Sequence, residues 1–265
     1  WVNIFEDQEI KSFVTDIRKL KDDKFIAFHS WQRAYSVFTS DNQYIGKFTI
    51  PYASSGNPID FTTNDNGDIF IVGSHTGGFD YDGIERASFG SNCGYGYVLK
   101  LDEEFNFQWI IPYHTKCTAI YTLDYDEVNN RLLIGGLYGT ETEIDPLGNG
   151  KVISPYQMEN GVLLASYNDD GQLDWVHEFE GNNLDNGRVL QIFSIKFNNS
   201  YEKLTLLGQE CTSQYCNYGE NGFDIDITDS TYLISSSFIT VYNNSSMKIE
   251  NVIDIGKTND NDNYE

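Results

Sequence analysis

The residues best suited to chemistry in this 265-residue chain recur at one place, just after the second strand of a repeated strand pattern. They are His29 with Trp31, then His75, Tyr138 and Glu210. Their types suit recognition better than bond-making. Aromatic faces stack on apolar surfaces of a sugar or peptide, while imidazole and carboxylate groups hold polar ones. The plainer account is that they pack beneath the connections that follow them. Two of those connections carry a Phe-Asp-x-Asp pattern, with Asp80 and Asp82 in one and Asp224 and Asp226 in the other. Carboxylates two residues apart share one side of a strand and could hold a Ca²⁺ together with backbone carbonyls. The twelve-residue calcium-loop pattern is absent, and surface positions of a β-hairpin account for the same residues. No other cofactor is implied.

Four cysteines form an even set. Cys93 precedes one strand of a hairpin and Cys117 follows its partner, which brings the two side by side within disulfide reach. Cys211 and Cys216 flank a four-residue loop and suit a local bridge; buried free thiols are the alternative for either pair. A zinc site would want C-x-x-C pairs, and there are none. Asn198, Asn243 and Asn244 begin Asn-X-Ser/Thr sequons. Together these features point to an oxidising, extracellular or cell-surface location.

Signatures of catalysis are missing. The chain has no Gly-x-Ser-x-Gly elbow, His-Glu-x-x-His helix, P-loop or dinucleotide fingerprint. His114 and His177 fall near strand ends and read as surface histidines. The expectation is therefore a non-enzyme, with a carbohydrate-active protein using a carboxylate pair as the alternative.

The elements that position these residues are strands. Gly161–Glu180 reads as an alternating strand, an Asn-Asp-Asp-Gly turn and a second strand carrying Trp175, a strong hairpin signal. The same sentence is written at Gly96–Ile110 with Trp109, in weaker form at Ala34–Phe48, and again at Ser237–Asn251. Two further strands precede each copy: 13–20 and 25–29, 59–63 and 69–73, 120–125 and 132–136, and 190–197 and 204–208. The period is about 60–75 residues, and length varies only between the second and third strands. Four antiparallel strands per unit, with inserts at one repeated position, predict an all-β fold, a β-propeller of four-stranded blades. Blades are expected over 7–56, 57–117, 118–187 and 188–256. Residues 1–6, whose Trp1–Glu6 matches Trp175–Glu180, read as the outer strand of a preceding blade, and 257–265 as an acidic tail or linker. That surplus strand favours a larger propeller; the alternative is a four-bladed ring in which it completes unit four.

The blade sentence resembles the SBBP-type β-propeller repeat. The matching stretches are Gly67–Gly73, Phe79–Asp82, Gly96–Asp102 and Gly171–Trp175, with Phe223–Asp226 repeating the insert motif. The resemblance spans most of residues 55–187, weakens over 188–256 and fails at the short link His29–Arg33. It implies a blade scaffold in secreted or surface proteins and no shared catalytic set.

Charge narrows the partners. Forty Asp and Glu against seventeen Lys and Arg give a formal charge of −23. Such a field repels phosphate backbones and anionic lipid, which excludes nucleic acid. No apolar run reaches the roughly 18 residues of a membrane-spanning helix. The expected role is a structural, adhesion or assembly module that meets protein partners, further copies or glycans. Contact would come through the long inserts and through β-augmentation by the first strand.

Overall fold

In the computed structural model the described residues are 14–29, 34–41, 43–49, 57–81, 84–88, 95–114, 118–139, 141–154, 161–179, 188–198, 203–212, 223–226, 231–234, 237–243 and 248–254. All their regular structure is strand. In chain order these are β1 (Val14–Lys19), β2 (Lys24–His29), β3 (Ala34–Thr39), β4 (Tyr44–Thr49), β5 (Asn57–Thr63), β6 (Ile69–His75), β7 (Gly78–Tyr81), β8 (Ile84–Ser88), β9 (Tyr95–Leu101), β10 (Phe107–Pro112) and β11 (Ala119–Asp126). There follow β12 (Arg131–Tyr138), β13 (Thr142–Glu143), β14 (Val152–Ile153), β15 (Gly161–Asn168), β16 (Leu173–Phe179), β17 (Arg188–Asn198), β18 (Lys203–Thr212), β19 (Phe223–Asp226), β20 (Thr231–Ile234), β21 (Ser237–Asn243) and β22 (Lys248–Asp254). Four antiparallel sheets result: β1-β2-β3-β4, β5-β6-β9-β10, β11-β12-β15-β16 and β17-β18-β21-β22. Three separate hairpins, β7-β8, β13-β14 and β19-β20, occupy the three inserts.

Local chemistry explains the reversals. Lys21–Lys24 closes with Asp22 and Asp23 at φ 57° and 55°. Asp tolerates this left-handed region, and two such residues match the twist of the flanking strands. Every sheet also carries two bulges at equivalent places. One lies in the first strand, between Val14 and Asp16, Pro58 and Asp60, Ile120 and Thr122, and Ile192 and Ser194. The other lies where the fourth strand leaves its turn, so that Trp109 and Trp175 occupy one position, with Gly46 and Asn251 their counterparts. A bulge adds local twist, and its recurrence shows that the repeat extends to backbone geometry.

No sheet buries its faces alone. One core joins Ile26, Phe28, Tyr35 and Val37 of the first sheet to Phe61, Ile69, Ile71 and Leu99 of the second. The next joins Phe70, Val72, Val98 and Ile111 to Leu123, Leu132 and Ile134. The third joins Leu133, Leu137 and Leu164 to Ile192, Ile195 and Leu206. Ile69 and Ile71 thus face backward while Phe70 and Val72 face forward. Central strands buried on both sides read as unbroken apolar runs for this reason. The sheets also meet along their first strands, β1 with β5, β5 with β11, and β11 with β17. This is a β-propeller of four-stranded antiparallel blades, four of them among the described residues; contact closing the first onto the fourth is not seen among those residues.

The inserts depart from expectation. They leave between the second and third strands, yet the tip of β7 returns to the opposite end of its blade. There the Tyr81 hydroxyl donates to the Phe105 carbonyl at 2.6 Å. In the third blade Asp145 accepts from the Leu173 amide at 2.8 Å, beside the β15–β16 turn. Phe79, Tyr81, Ile144 and Ile153 are buried in the inter-blade cores. The described insert segments are therefore packing elements laid down the blades, because alternation on a short hairpin gives each one an apolar side to bury. Residues 1–6 and 257–265 lie outside the described residues.

Candidate functional site

The first strand of each blade is a sheet edge, with one row of backbone groups unpaired within its own sheet. Side chains from the preceding blade satisfy them. The Leu123 amide donates to Asp60 Oδ2 at 3.3 Å, the Ile195 amide to Thr122 Oγ1 at 3.2 Å, and the Phe197 amide to Asp124 Oδ2 at 2.8 Å. Arg18 Nε donates to the Phe61 carbonyl at 3.3 Å. The bulges make Asp16, Asp60, Thr122 and Ser194 equivalent, and two residues later Arg18, Thr62, Asp124 and Lys196.

This second set converges. A cavity of about 540 Å³ is lined by Arg18, Thr62, Asp124 and Lys196, one from each blade, together with turn residues including Asp22, Asp23 and Asp65. Within it Arg18 Nη2 lies 2.8 Å from Asp16 and 4.0 Å from Asp60. Lys196 Nζ lies 3.7 Å from Asp124 Oδ1, which also accepts from Thr62 Oγ1 at 3.4 Å. Burial pushes the Asp60 carboxyl up from its ordinary range, opposed by the Phe61 and Leu123 amides and then by Arg18 and Lys196. Asp60 and Asp124 both spend oxygens on backbone amides, Asp60 on two. Protonating either carboxyl would compete with bonds that hold neighbouring blades together. The signal for this ring was present in sequence: counting back from each first turn aligns the four residues, although their types differ.

Of the residues singled out in sequence, His75, Tyr138 and Glu210 hold one equivalent position in the second, third and fourth blades, and His29 does not. His29 is displaced by two positions. It pairs with Val14 and Ala34 in the register that Gly73 occupies with Pro58 and Tyr97, so its counterpart is Gly73 and not His75. Alignment by strand end failed because β2 passes into β3 through a short link. His29 is buried, with Nε2 2.9 Å from Ser36 Oγ. His75 is buried against Phe79, and burial lowers its pKa. Tyr138 is buried, its ring over Gly161 and its hydroxyl donating to Glu178 at 2.8 Å. Glu210 pairs with Leu190 along the β17–β18 ladder, and Trp31 lies outside the described residues. His114 is exposed, whereas His177 is half-buried and its pKa is lowered by that burial.

Asp80 is exposed between buried Phe79 and Tyr81 on β7. Asp224 and Asp226 lie two apart on β19, and Asp82 falls outside the described residues. Among the described residues no three His, Cys, Asp or Glu side chains gather as a metal site. Cys93, Cys117, Cys216 and Asn244 also lie outside. Cys211 ends near β18, Asn243 ends β21, and Asn198 is exposed at the end of β17.

One ionic group and one hydrogen bond join the second and third blades away from the cavity. Lys100, buried, lies 3.0 Å from Asp68 of its own blade and 2.6 Å from Asp169 of the next. Trp109 Nε1 donates to the Asp169 carbonyl at 2.9 Å, its ring beside Gly171, whose φ of 77° glycine accepts without strain. Lys100 belongs to a stretch that resembles the SBBP-type repeat, and in the structure it serves, like Trp109, as an inter-blade contact.

No family model matches the chain, and no curated protein sequence does. Among solved structures it is similar to a protein of unknown function from Bacteroides caccae, with TM-score 0.46 and 10% identity over 93% of this chain. The chain spans 62% of that protein's length. It is also similar to a DUF4221 family member from Bacteroides vulgatus, at TM-score 0.45 and 11% identity over 91% of this chain and 66% of the other. A third is the β-propeller domain of Myceliophteria thermophila Cps50 (Swd1), at TM-score 0.39 and 7% identity over 93% and 88%. The fold assignment rests on the sheet order and blade packing described above. No helix among the described residues is long and apolar enough to cross a membrane.

Proposed function

We propose that this propeller is a structural and assembly module that binds a protein partner through exposed apolar positions on its first and fourth blades. The observation carrying this reading concerns equivalent positions. Ile17 and Phe25 on the first blade are 57% and 37% exposed, whereas their counterparts Phe61 and Ile69, and again Leu123 and Leu132, are fully buried against the preceding blade. On the fourth blade Leu207 is 37% exposed, while its counterpart Val72 is buried against the following one. Ile17 and Phe25 on the backward side of the first blade and Leu207 on the forward side of the fourth are thus core positions left partly exposed. Large apolar side chains in such settings mark interaction surfaces. A blade face of a second copy is the partner of matching chemistry, giving a head-to-tail contact.

The extracellular or cell-surface setting expected from the cysteines and sequons belongs to this reading, as does the SBBP-type likeness. It predicts Cys93–Cys117 and Cys211–Cys216 bridges and glycans on Asn198, Asn243 or Asn244, which intact mass before and after reduction and deglycosylation would reveal. Calcium at Asp80 and Asp82, or at Asp224 and Asp226, is likewise open to titration. The assembly reading is tested by sedimentation of the wild type and of the Ile17→Asp and Phe25→Asp variants. Concentration-dependent association that both variants abolish is expected. A wild type that stays monomeric at about 100 μM, or variants that associate equally, would contradict it.

The alternative is a carbohydrate-active or glycan-binding propeller. It draws no favouring observation from the described residues, since Asp60 and Asp124 are engaged by backbone amides.

A further inference from the structure

The cavity between the first strands is electrically unlike the rest of the molecule. Over the whole chain acidic residues outnumber basic ones forty to seventeen. The cavity is lined by Arg18, Lys19, Lys21 and Lys196 against Asp22, Asp23, Asp65 and Asp124, four of each sign. The signs are also layered. The first strands supply Arg18, Lys19 and Lys196 against the one carboxylate of Asp124, and the turns at one end supply Asp22, Asp23 and Asp65 against the one ammonium of Lys21.

Part of this charge is committed and part is free. Arg18 uses Nε on the Phe61 carbonyl and Nη2 on Asp16, which leaves Nη1 without a partner among the described residues. Lys196 lines the cavity, half-exposed, and makes one long ion pair at 3.7 Å, which leaves it N–H groups to donate. No ion pair engages Asp22, Asp23 or Asp65 among the described residues. A guanidinium and an ammonium with spare donors suit a carboxylate, and three uncommitted carboxylates suit an ammonium.

We infer that this cavity is a binding site for a small zwitterion, a free amino acid or a short peptide. Its carboxylate would lie on Arg18 and Lys196 and its ammonium toward Asp22, Asp23 and Asp65. The net charge of −23 selects among guests. A simple anion is repelled by the field before it reaches the cations, and a simple cation leaves Arg18 and Lys196 unused. A zwitterion carries no net charge and satisfies both layers. The volume, about 540 Å³, admits a guest between an amino acid and a tripeptide in size.

The test is calorimetric titration of the intact chain with alanine, dialanine and trialanine, each compared with its N-acetylated and its C-amidated form. Free zwitterions are expected to bind, and either cap to weaken binding by about tenfold or more, as loss of one charge-assisted contact implies. The three lengths separate an amino-acid site from a peptide site. Lys196→Met should weaken binding by a similar factor while leaving the melting temperature unchanged, because this side chain is exposed and holds no backbone group. Asp22→Asn with Asp23→Asn should weaken the free ligand and so narrow its advantage over the N-acetylated one, Asp65 remaining in place. Capped and free ligands binding equally, no binding by any of them up to about 10 mM, or a Lys196→Met variant that binds like wild type would each overturn the inference.

Discussion

Replacing Gly161 by Ala probes whether Tyr138 is a ligand residue or a packing residue. A Cβ built at Gly161 would overlap the Tyr138 ring and lie 2.6 Å from its hydroxyl oxygen. The ring cannot swing aside freely. It is fully buried among Ile144, Ile153 and Leu163, and its hydroxyl donates to Glu178 at 2.8 Å. Overpacking of this kind costs about 1–3 kcal/mol, and losing the hydrogen bond adds about 1 kcal/mol. A total of about 2–4 kcal/mol should appear as a lower urea midpoint at unchanged slope. Tyr138→Leu removes the obstacle, so adding Gly161→Ala to it should cost much less than in the wild type. The coupling between the two should reach at least about 1 kcal/mol. Additive effects, or a Gly161→Ala variant within about 0.5 kcal/mol of wild type, would refute the close approach of ring and strand.

The inter-blade ion pairs and carboxylates give further tests. Lys100→Met strands Asp68 and Asp169 and should cost about 1–3 kcal/mol, the lower part of the range for a broken buried pair because Asp169 is half-exposed. Lys21→Met, which breaks a more exposed pair with Glu103, should change the urea midpoint by no more than about 0.5 kcal/mol equivalent. Burial, followed by Asp65, pushes the Glu127 carboxyl from 4.5 up to about 7, although its Oε1 accepts from the Asp65 amide. The folded state then holds more protons than the unfolded one between pH 4.5 and 7, so this group lowers stability as pH rises through that window. Glu127→Gln should flatten the fall. With solvent screening the gain above pH 7 is no more than about 1 kcal/mol, and a variant with the wild-type pH profile would contradict the assignment.

Much of the fold was legible because the repeat is written in turns and strand patterns. The Asp-Gly turns, the Trp109 and Trp175 positions and the apolar second strands all place residues where the sheets put them. What failed was register across unequal connections. His29 ends its strand as His75 does, but the short link after it shifts the ladder by two residues, a difference visible only in the pairing. The inserts were expected to offer a contact surface because their length varies at one repeated position, while a few aromatics such as Phe79 and Tyr81 decide that they fold back. The cavity ring escaped notice because Arg18, Thr62, Asp124 and Lys196 share a position without sharing a residue type. Their common feature is the neighbouring blade's edge, which no single repeat displays.

Amide hydrogen exchange at Leu123, Ile195 and Phe197 tests the radial packing of blades most directly. These amides lie on sheet edges, and among the described residues side chains of the preceding blade engage them. Stacked blades predict exchange at least roughly a hundredfold slower than in an unstructured peptide, with Thr122→Val releasing Ile195 selectively. Exchange of all three at the rate of an open edge would contradict the arrangement.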